Sequence, residues 1–195
     1  MLSALEARLA RGLLIRAMPQ GSIGAEIGVW KAEFSRTLVR SVKPAKLHLV
    51  DPWVFVSKPE YSSAIYGGSV AKGQADMDQI YEDVLVAMAE PIARGQVEVH
   101  RMTSAEAAGK FDDNSLDWVY IDGDHSYQAV EEDLRLWSAK VKPGGLITGD
   151  DYGLKGWWDY GVTRAADEFS SASGYPLTVH RPQFLIRKYG EGQDR

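Results

Sequence analysis

The sequence predicts a doubly wound α/β domain, mostly parallel, with an antiparallel hairpin strand added at its C-terminal end. Three observations predict it. Strand-like and helix-like segments alternate along most of the chain. Apolar runs such as Trp118-Val-Tyr-Ile121 lack polar alternation, as strands buried on both faces of a parallel sheet do. Two such runs stop at acids, Asp122-Gly-Asp124-His125 and Asp150-Asp151, and ligands of open parallel sheets bind outside the carboxyl ends of the strands.

The elements follow in order. Leu2, Leu5, Leu9, Leu13 and Leu14 keep helical spacing, so residues 1–20 read as an amphipathic helix ending near Pro19, its leucine stripe facing the core or a second subunit. Residues 22–27 make a first strand and Phe34 to Arg40 a helix closed by Lys43-Pro44. Lys46 to Val50 is a second strand ending at Asp51. Residues 53–75 are loop-like and rich in aromatics and glycine. This stretch suits equally a lid hinged at Gly67-Gly68 and a segment packed on the sheet. Asp76 can cap a helix running to about Arg94, with Met77, Ile80, Val84 and Met88 on one stripe. Val97 to His100 is a third strand, with a short helix from Ser104. Leu116 to Ile121 is a fourth strand and Tyr127 to Lys140 a helix stopped before Pro143-Gly-Gly. Leu146 to Thr148 is a fifth strand, Gly161 to Phe169 a helix, and Leu177 to His180 with Phe184 to Arg187 a hairpin. Residues 21–190 thus read as one domain and 191–195 as a mobile polar tail.

Composition narrows the classes. A chain of 195 residues can bury a core without staples. It has no cysteine, which excludes disulfides, thiolate metal sites and cysteine nucleophiles. The net charge of −5 argues against a nucleic-acid partner. The start lacks the apolar core of a signal peptide, and no run is long enough to span a membrane, so the cytoplasm is the expected location and no membrane partner is expected. A homo-oligomer remains open.

Up to four carboxylates aimed into one crevice are costly unless a cation, a proton or a substrate hydroxyl compensates. At the first strand-to-helix turn, Glu26-x-Gly28-x-x-x-Ala32 has neither the Gly-x-Gly-x-x-Gly pattern nor a phosphate-binding loop. An acid ends the strand and one Gly lets backbone approach a ligand. Asp51 stands where a carboxylate can accept hydrogen bonds from ribose hydroxyls.

These residues, with His48-Leu-Val-Asp51-Pro-Trp53, Tyr120-Ile-Asp122-Gly-Asp124-His125-Ser-Tyr127 and Lys142-Pro-Gly-Gly145, resemble class I S-adenosylmethionine-dependent methyltransferases with a Rossmann-like fold. The branch is similar to macrocin and aminocoumarin sugar O-methyltransferases and to cephalosporin-hydroxylase-like proteins. The likeness covers about residues 22 to 150. Ala32 departs from the family's usual Gly. The resemblance implies that Glu26 and Gly28 line the methionine and ribose part of the cofactor. It implies that Asp51 holds the ribose, that Trp53, Thr103 and Ser104 border the adenine, and that Asp122 lies near the methionine moiety. It further implies a magnesium ion on Asp122, Asp150 and Asp151. Asp124 would be the general base, with His125 as its rival, for O-methylation of a small hydroxylated acceptor such as a sugar.

A bound cation would lower the pKa of an alkyl hydroxyl, and hard oxygen ligands favour magnesium. Trp157-Trp158-Tyr160 would wall the acceptor pocket or support a subunit contact. Two rivals stand: a hydroxylase-like iron site, disfavoured because no two-histidine, one-carboxylate triad shows near the motifs, and a non-catalytic nucleotide-binding domain. His48, His100 and His180 lie within or at the ends of strands and read as structural.

Overall fold

The computed structural model describes residues 4–190; Leu2 and the expected tail 191–195 lie outside the described residues. Seven strands form one sheet in the order β3-β2-β1-β4-β5-β7-β6. They are β1 (Ile23–Ile27), β2 (Lys46–Asp51), β3 (Val97–Arg101), β4 (Leu116–Ile121), β5 (Val141–Gly149), β6 (Leu177–His180) and β7 (Gln183–Arg187). The first five are mutually parallel. β7 runs antiparallel to β5, and β6 antiparallel to β7. The chain therefore winds outward from β1 to β3, returns, and winds the other way from β4. That reversal leaves a crevice at the carboxyl ends of β1 and β4.

The continuous apolar run in β4 is explained by its position. Trp118 and Tyr120 enter the core on one face with Leu47 and Leu49. Val119 and Ile121 enter the core on the other face with Val130 and Trp137. Both faces are dry, so no polar alternation is needed. The helices are α1 (Ala4–Ala17), α2 (Glu33–Ser41), α3 (Gln74–Ala87), α4 (Ala89–Ala93), α5 (Ser104–Ala108), α6 (Tyr127–Lys140) and α7 (Gly161–Ser173).

Three expectations are corrected. The helix expected from Asp76 to Arg94 breaks at Met88 into α3 and α4, because Pro91 has no N–H to offer the carbonyl four residues back. Its cap is Gly73 rather than Asp76, which lies inside the first turn and accepts from the Lys72 amide at 2.7 Å. β5 begins at Val141, not Leu146. The Pro143-Gly-Gly segment is absorbed as a register shift between Leu116 and Trp118 of β4, with Gly144 at φ 82°. Of the leucine stripe expected to face the core or a second subunit, Leu14 is in the core and Leu5, Leu9 and Leu13 are exposed in the single chain; the face that reaches the core is Ala10 and Leu14, with Met18 just beyond the helix. That face lies against β6 and β7, and it decides where Arg11 points.

Among the described residues, no helix is long and apolar enough to cross a membrane.

Candidate functional site

A cavity of about 650 Å³ opens at the carboxyl ends of β1, β2 and β4, within the usual range for small-molecule sites. Its floor is the β1–α2 turn. Gly28 has φ 87°, and a β-carbon there would lie 2.2 Å from the Asp122 carbonyl oxygen. Only glycine fits such a left-handed close approach. Ala32, at the end of the turn, also holds a left-handed φ of 56°, which is strained for a residue with a β-carbon. Glu26 lines the cavity and is 2% exposed. Its Oε2 has no hydrogen-bond partner, and burial pushes its carboxyl up to about 8. A buried acid with a free oxygen facing a cavity suits a donor or cation that arrives with a ligand.

Asp51 closes β2 and knits the floor. Its Oδ2 accepts from the amides of Val29 and Trp30, each at 3.0 Å, and its Oδ1 accepts from Trp53 N at 2.7 Å. Burial raises its pKa while these three amides lower it. A carboxylate has about four acceptor positions, so room remains for a ligand hydroxyl. Trp53 is placed differently from the expectation. It is fully buried, its Nε1 donates to the Trp30 carbonyl at 3.0 Å, and it packs in the core rather than on the cavity wall.

Thr103 and Ser104 do line the cavity. Thr103 caps α5 in a reciprocal pair with Glu106. The Ser104 hydroxyl accepts from Trp137 Nε1 at 2.7 Å and bonds Asp133.

The acids after β4 and β5 do not converge as a single set. His125 stands between two of them, with Nε2 3.3 Å from Asp122 Oδ1 and Nδ1 3.1 Å from Asp151 Oδ2. Burial lowers the imidazole pKa, but Asp122, Asp151 and Asp124 outweigh it and raise the pKa above its usual value. Burial also lifts Asp122 to about 6, with His125 opposing the shift, and it raises Asp151, again against His125.

Asp150 belongs elsewhere. It is 8% exposed. Its Oδ2 takes the guanidinium of Arg11 at 2.5 Å and the Tyr120 hydroxyl at 3.2 Å, while its Oδ1 takes the Asp151 amide at 2.8 Å. The expected metal set of Asp122, Asp150 and Asp151 is therefore corrected. The group brought together is Asp122, His125 and Asp151, whose ligand atoms lie within 4.8 Å of one another. Asp124 lines the cavity, but its Oδ1 accepts from Ser126 N at 2.8 Å, where it closes the turn into α6.

The aromatic segment after β2 covers the mouth. Ser63, Ala64, Ile65 and Tyr66 line the cavity, while Ala64, Gly67 and Ala71 are buried, so one segment is both cover and packed layer. Gly67 is required there, since a β-carbon would lie 2.0 Å from the Tyr61 carbonyl. Tyr61 meets Trp157 edge-on, with centroids 4.8 Å apart. Burial, and then the negative charge of Asp124, push its phenol up to about 12. Trp157 and Trp158 complete that wall, and Trp158 sits edge-on to His125 at 4.8 Å.

Two cavity-lining acidic and basic positions escaped the sequence reading. Asp133 lines the cavity, is 7% exposed, and is raised by burial to about 7. The signal was an acid within the apolar stripe Val130, Leu134, Trp137 of α6. Arg11 lines the cavity too. Its only signal was a cation beside Ala10 and Leu14 on the buried side of α1.

Comparison with known proteins agrees with this geometry. A family profile described as "Methyltransferase domain" matches residues 25–152, well over half of the chain. The O-methyltransferase NovP superposes with a TM-score of 0.61 at 17% identity, over 95% of this chain and 78% of that one. The precorrin-6y C5,15-methyltransferase of Geobacter metallireducens superposes with a TM-score of 0.60 at 16% identity, over 93% of this chain and 86% of that one. Among curated proteins, an uncharacterized protein of Acanthamoeba polyphaga mimivirus is 49% identical over 39 residues, which is 20% of this chain and 18% of that protein.

Proposed function

We take as premise that this chain belongs to the methyltransferase-domain family, is a class I S-adenosylmethionine-dependent methyltransferase, and propose that it methylates a hydroxyl oxygen of a small acceptor. The single observation that carries the finer reading is His125 at the cavity mouth, suspended between Asp122 and Asp151. A general base oriented by a second acid is the arrangement that a weakly acidic hydroxyl needs. The O-methyltransferase with the same fold supports the reading by analogy only.

The residues fit the cofactor. Glu26 Oε2 is buried without a partner and suits its ammonium group, and Gly28 lines the cavity beside it. The one acceptor position left on Asp51 suits a ribose hydroxyl, and Ser104 and Asp133 border the far end, where the base would lie. When bound, S-adenosylmethionine supplies a methyl group activated by its sulfonium. The chain then has two tasks: to hold the acceptor oxygen in line at near-attack distance, and to take its proton. Asp151 fixes the Nδ1 side of His125, so Nε2 takes the hydroxyl proton as the longer 3.3 Å contact to Asp122 opens. The cover built on Tyr61, Tyr66 and Trp157 keeps water from the reacting centre.

Of the two base candidates, His125 is favoured because Asp124 already accepts from the Ser126 amide, where it closes the turn into α6. Magnesium does not fit the donor set. It takes one or two carboxylates and several waters in near-octahedral array, but here Asp122 and Asp151 are both engaged by the His125 imidazole and Asp150 by Arg11. No step passes through a metal.

The test is transfer of an isotopically labelled methyl group to a panel of hydroxylated small molecules, run with and without a chelator. The expected product is a methyl ether formed equally well in both. Label found only on carbon or nitrogen, or turnover abolished by the chelator and restored by magnesium, would overturn the reading.

A further inference from the structure

On the far side of β2 and β3 lies a second cluster that the methyl-transfer site does not use. His48 of β2 is paired in register with Glu98 of β3, and His100 follows two residues on, so all three side chains project from one face of the sheet. His48 Nδ1 lies 3.0 Å from His100 Nε2. Glu98 closes the group, its Oε2 at 4.0 Å from His48 Nδ1 and its Oε1 at 3.8 Å from His100 Nε2. All three donor atoms fall within 4.8 Å of one another. In front of them is a separate opening of about 450 Å³ that shares no lining residue with the cofactor cavity.

We propose that His48, Glu98 and His100 form a binding site for a divalent transition-metal ion of the zinc type, with the fourth position open to water. Two nitrogens about 2.0–2.1 Å from a tetrahedral zinc stand about 3.3 Å apart, close to the spacing found here. The carboxylate has to move inward by about half an ångström to match that geometry. Glu98 is half-exposed, so it has the freedom to do so. Both rings are already fixed: Phe111 meets His48 edge-on at 4.8 Å and His100 at 5.8 Å. Two imidazoles with one carboxylate select zinc, copper, nickel or iron over magnesium or calcium.

A shared hydrogen between the two rings accounts for their 3.0 Å contact. It does not account for the carboxylate directed at the same point with an opening before it. Lys46 is the natural competitor, at 2.8 Å from Glu98 Oε2; Oε1 stays available to the ion. Bound there, the ion would tie the edge strand β3 to β2.

The test uses the untagged 195-residue chain, stripped with chelator and titrated with zinc by calorimetry and with cobalt by visible absorption. Zinc-induced protection is followed in parallel by thermal unfolding. Wild type and His125→Ala are expected to take up one ion per chain, with the absorption of a four-coordinate cobalt site and a raised unfolding midpoint. His48→Asn and His100→Asn should lose both signals. Removing a mere supporting partner of a metal site costs about 10–100-fold in affinity, so removing a ligand should cost no less. Glu98→Gln should weaken binding less. Ion-free unfolding midpoints of the variants show whether each still folds. If zinc uptake survives in His48→Asn/His100→Asn, or is lost in His125→Ala, the ion belongs to the other cluster and the proposal is overturned. Absence of saturable uptake at millimolar zinc overturns it as well.

Discussion

Arg11 and Asp150 stand 139 positions apart and meet at 2.5 Å, joining the first helix to the end of the fifth strand beneath the cavity mouth. The pair makes α1 part of the site. Without it, a nearly buried carboxylate would lie beside Tyr120 with no cation. The buried face of α1, Ala10, Leu14 and Met18, sets the helix rotation that aims Arg11 inward.

Arg11→Gln should therefore destabilise the fold. Breaking a fully buried pair costs about 3–5 kcal/mol, but the Arg11 side chain is 42% exposed, which brings the expectation to about 1–2 kcal/mol. For a chain of this size that is a fall of roughly 2–8 °C in unfolding midpoint. Adding Asp150→Asn to the same chain should recover part of the loss. Thermal denaturation of both variants decides it; additive losses would show that the two side chains are not coupled.

His125 sets the pH dependence. The base must be neutral to accept a proton, and the surrounding carboxylates raise its pKa above the ordinary 6.5. Methyl transfer should therefore climb with pH along a limb centred above 6.5. Asp151→Asn removes one of the charges that raise it, so that limb should move to lower pH while the maximal rate falls. His125→Ala should lower kcat by about 10²–10⁴-fold with cofactor affinity retained. A rate profile unmoved by Asp151→Asn would exclude the imidazole as the base.

Glu26 couples cofactor binding to protons. Its folded-state pKa of about 8 lies above the ordinary 4.5. The sign is that of an acid that prefers to keep its proton: ionising it costs stability, nothing below about pH 4.5 and most above pH 8. Glu26→Gln should thus gain on the wild type by on the order of a few kcal/mol between pH 5 and pH 8, as read by urea denaturation. The same substitution should weaken S-adenosylmethionine binding. In the wild type at pH 7, binding should release a proton, seen calorimetrically as a heat that depends on the ionisation enthalpy of the buffer.

Much of this was legible in the chain because local and global signals agree. β4 and α6 begin and end where the apolar run and the Pro143-Gly-Gly stop placed them. Glu26, Gly28, Asp51, Thr103, Ser104, Asp122, Asp124 and His125 all line one cavity, because parallel strands end at a common edge. Trp53 and Asp150 show where the reading ran out. Each follows a strand end by one or two residues, yet the chain turns them away from the cavity, toward the Trp30 carbonyl and toward Arg11. Such partners lie distant in sequence and carry no motif. The pairing of His48 with Glu98 likewise depends on strand register, which a list of residues does not give.

Tyr61 and Trp157 should govern the acceptor rather than the cofactor. They meet across the mouth, one from the segment after β2 and the other from the loop beyond β5. Trp157→Ala opens that wall without touching the floor formed by Glu26, Gly28 and Asp51, so the KM for acceptor should rise about tenfold or more while cofactor affinity holds. An aromatic truncation at such a contact costs about 2 kcal/mol or more when the ring packs against the ligand. Tyr61→Phe keeps the ring contact and removes only the hydroxyl, whose pKa Asp124 helps to raise. It should therefore leave KM nearly unchanged and lower kcat modestly, through a looser Asp124 and Ser126 turn beside His125. Steady-state kinetics separate the two cases: a kcat loss in Trp157→Ala with unchanged KM would place the acceptor on another wall of the cavity.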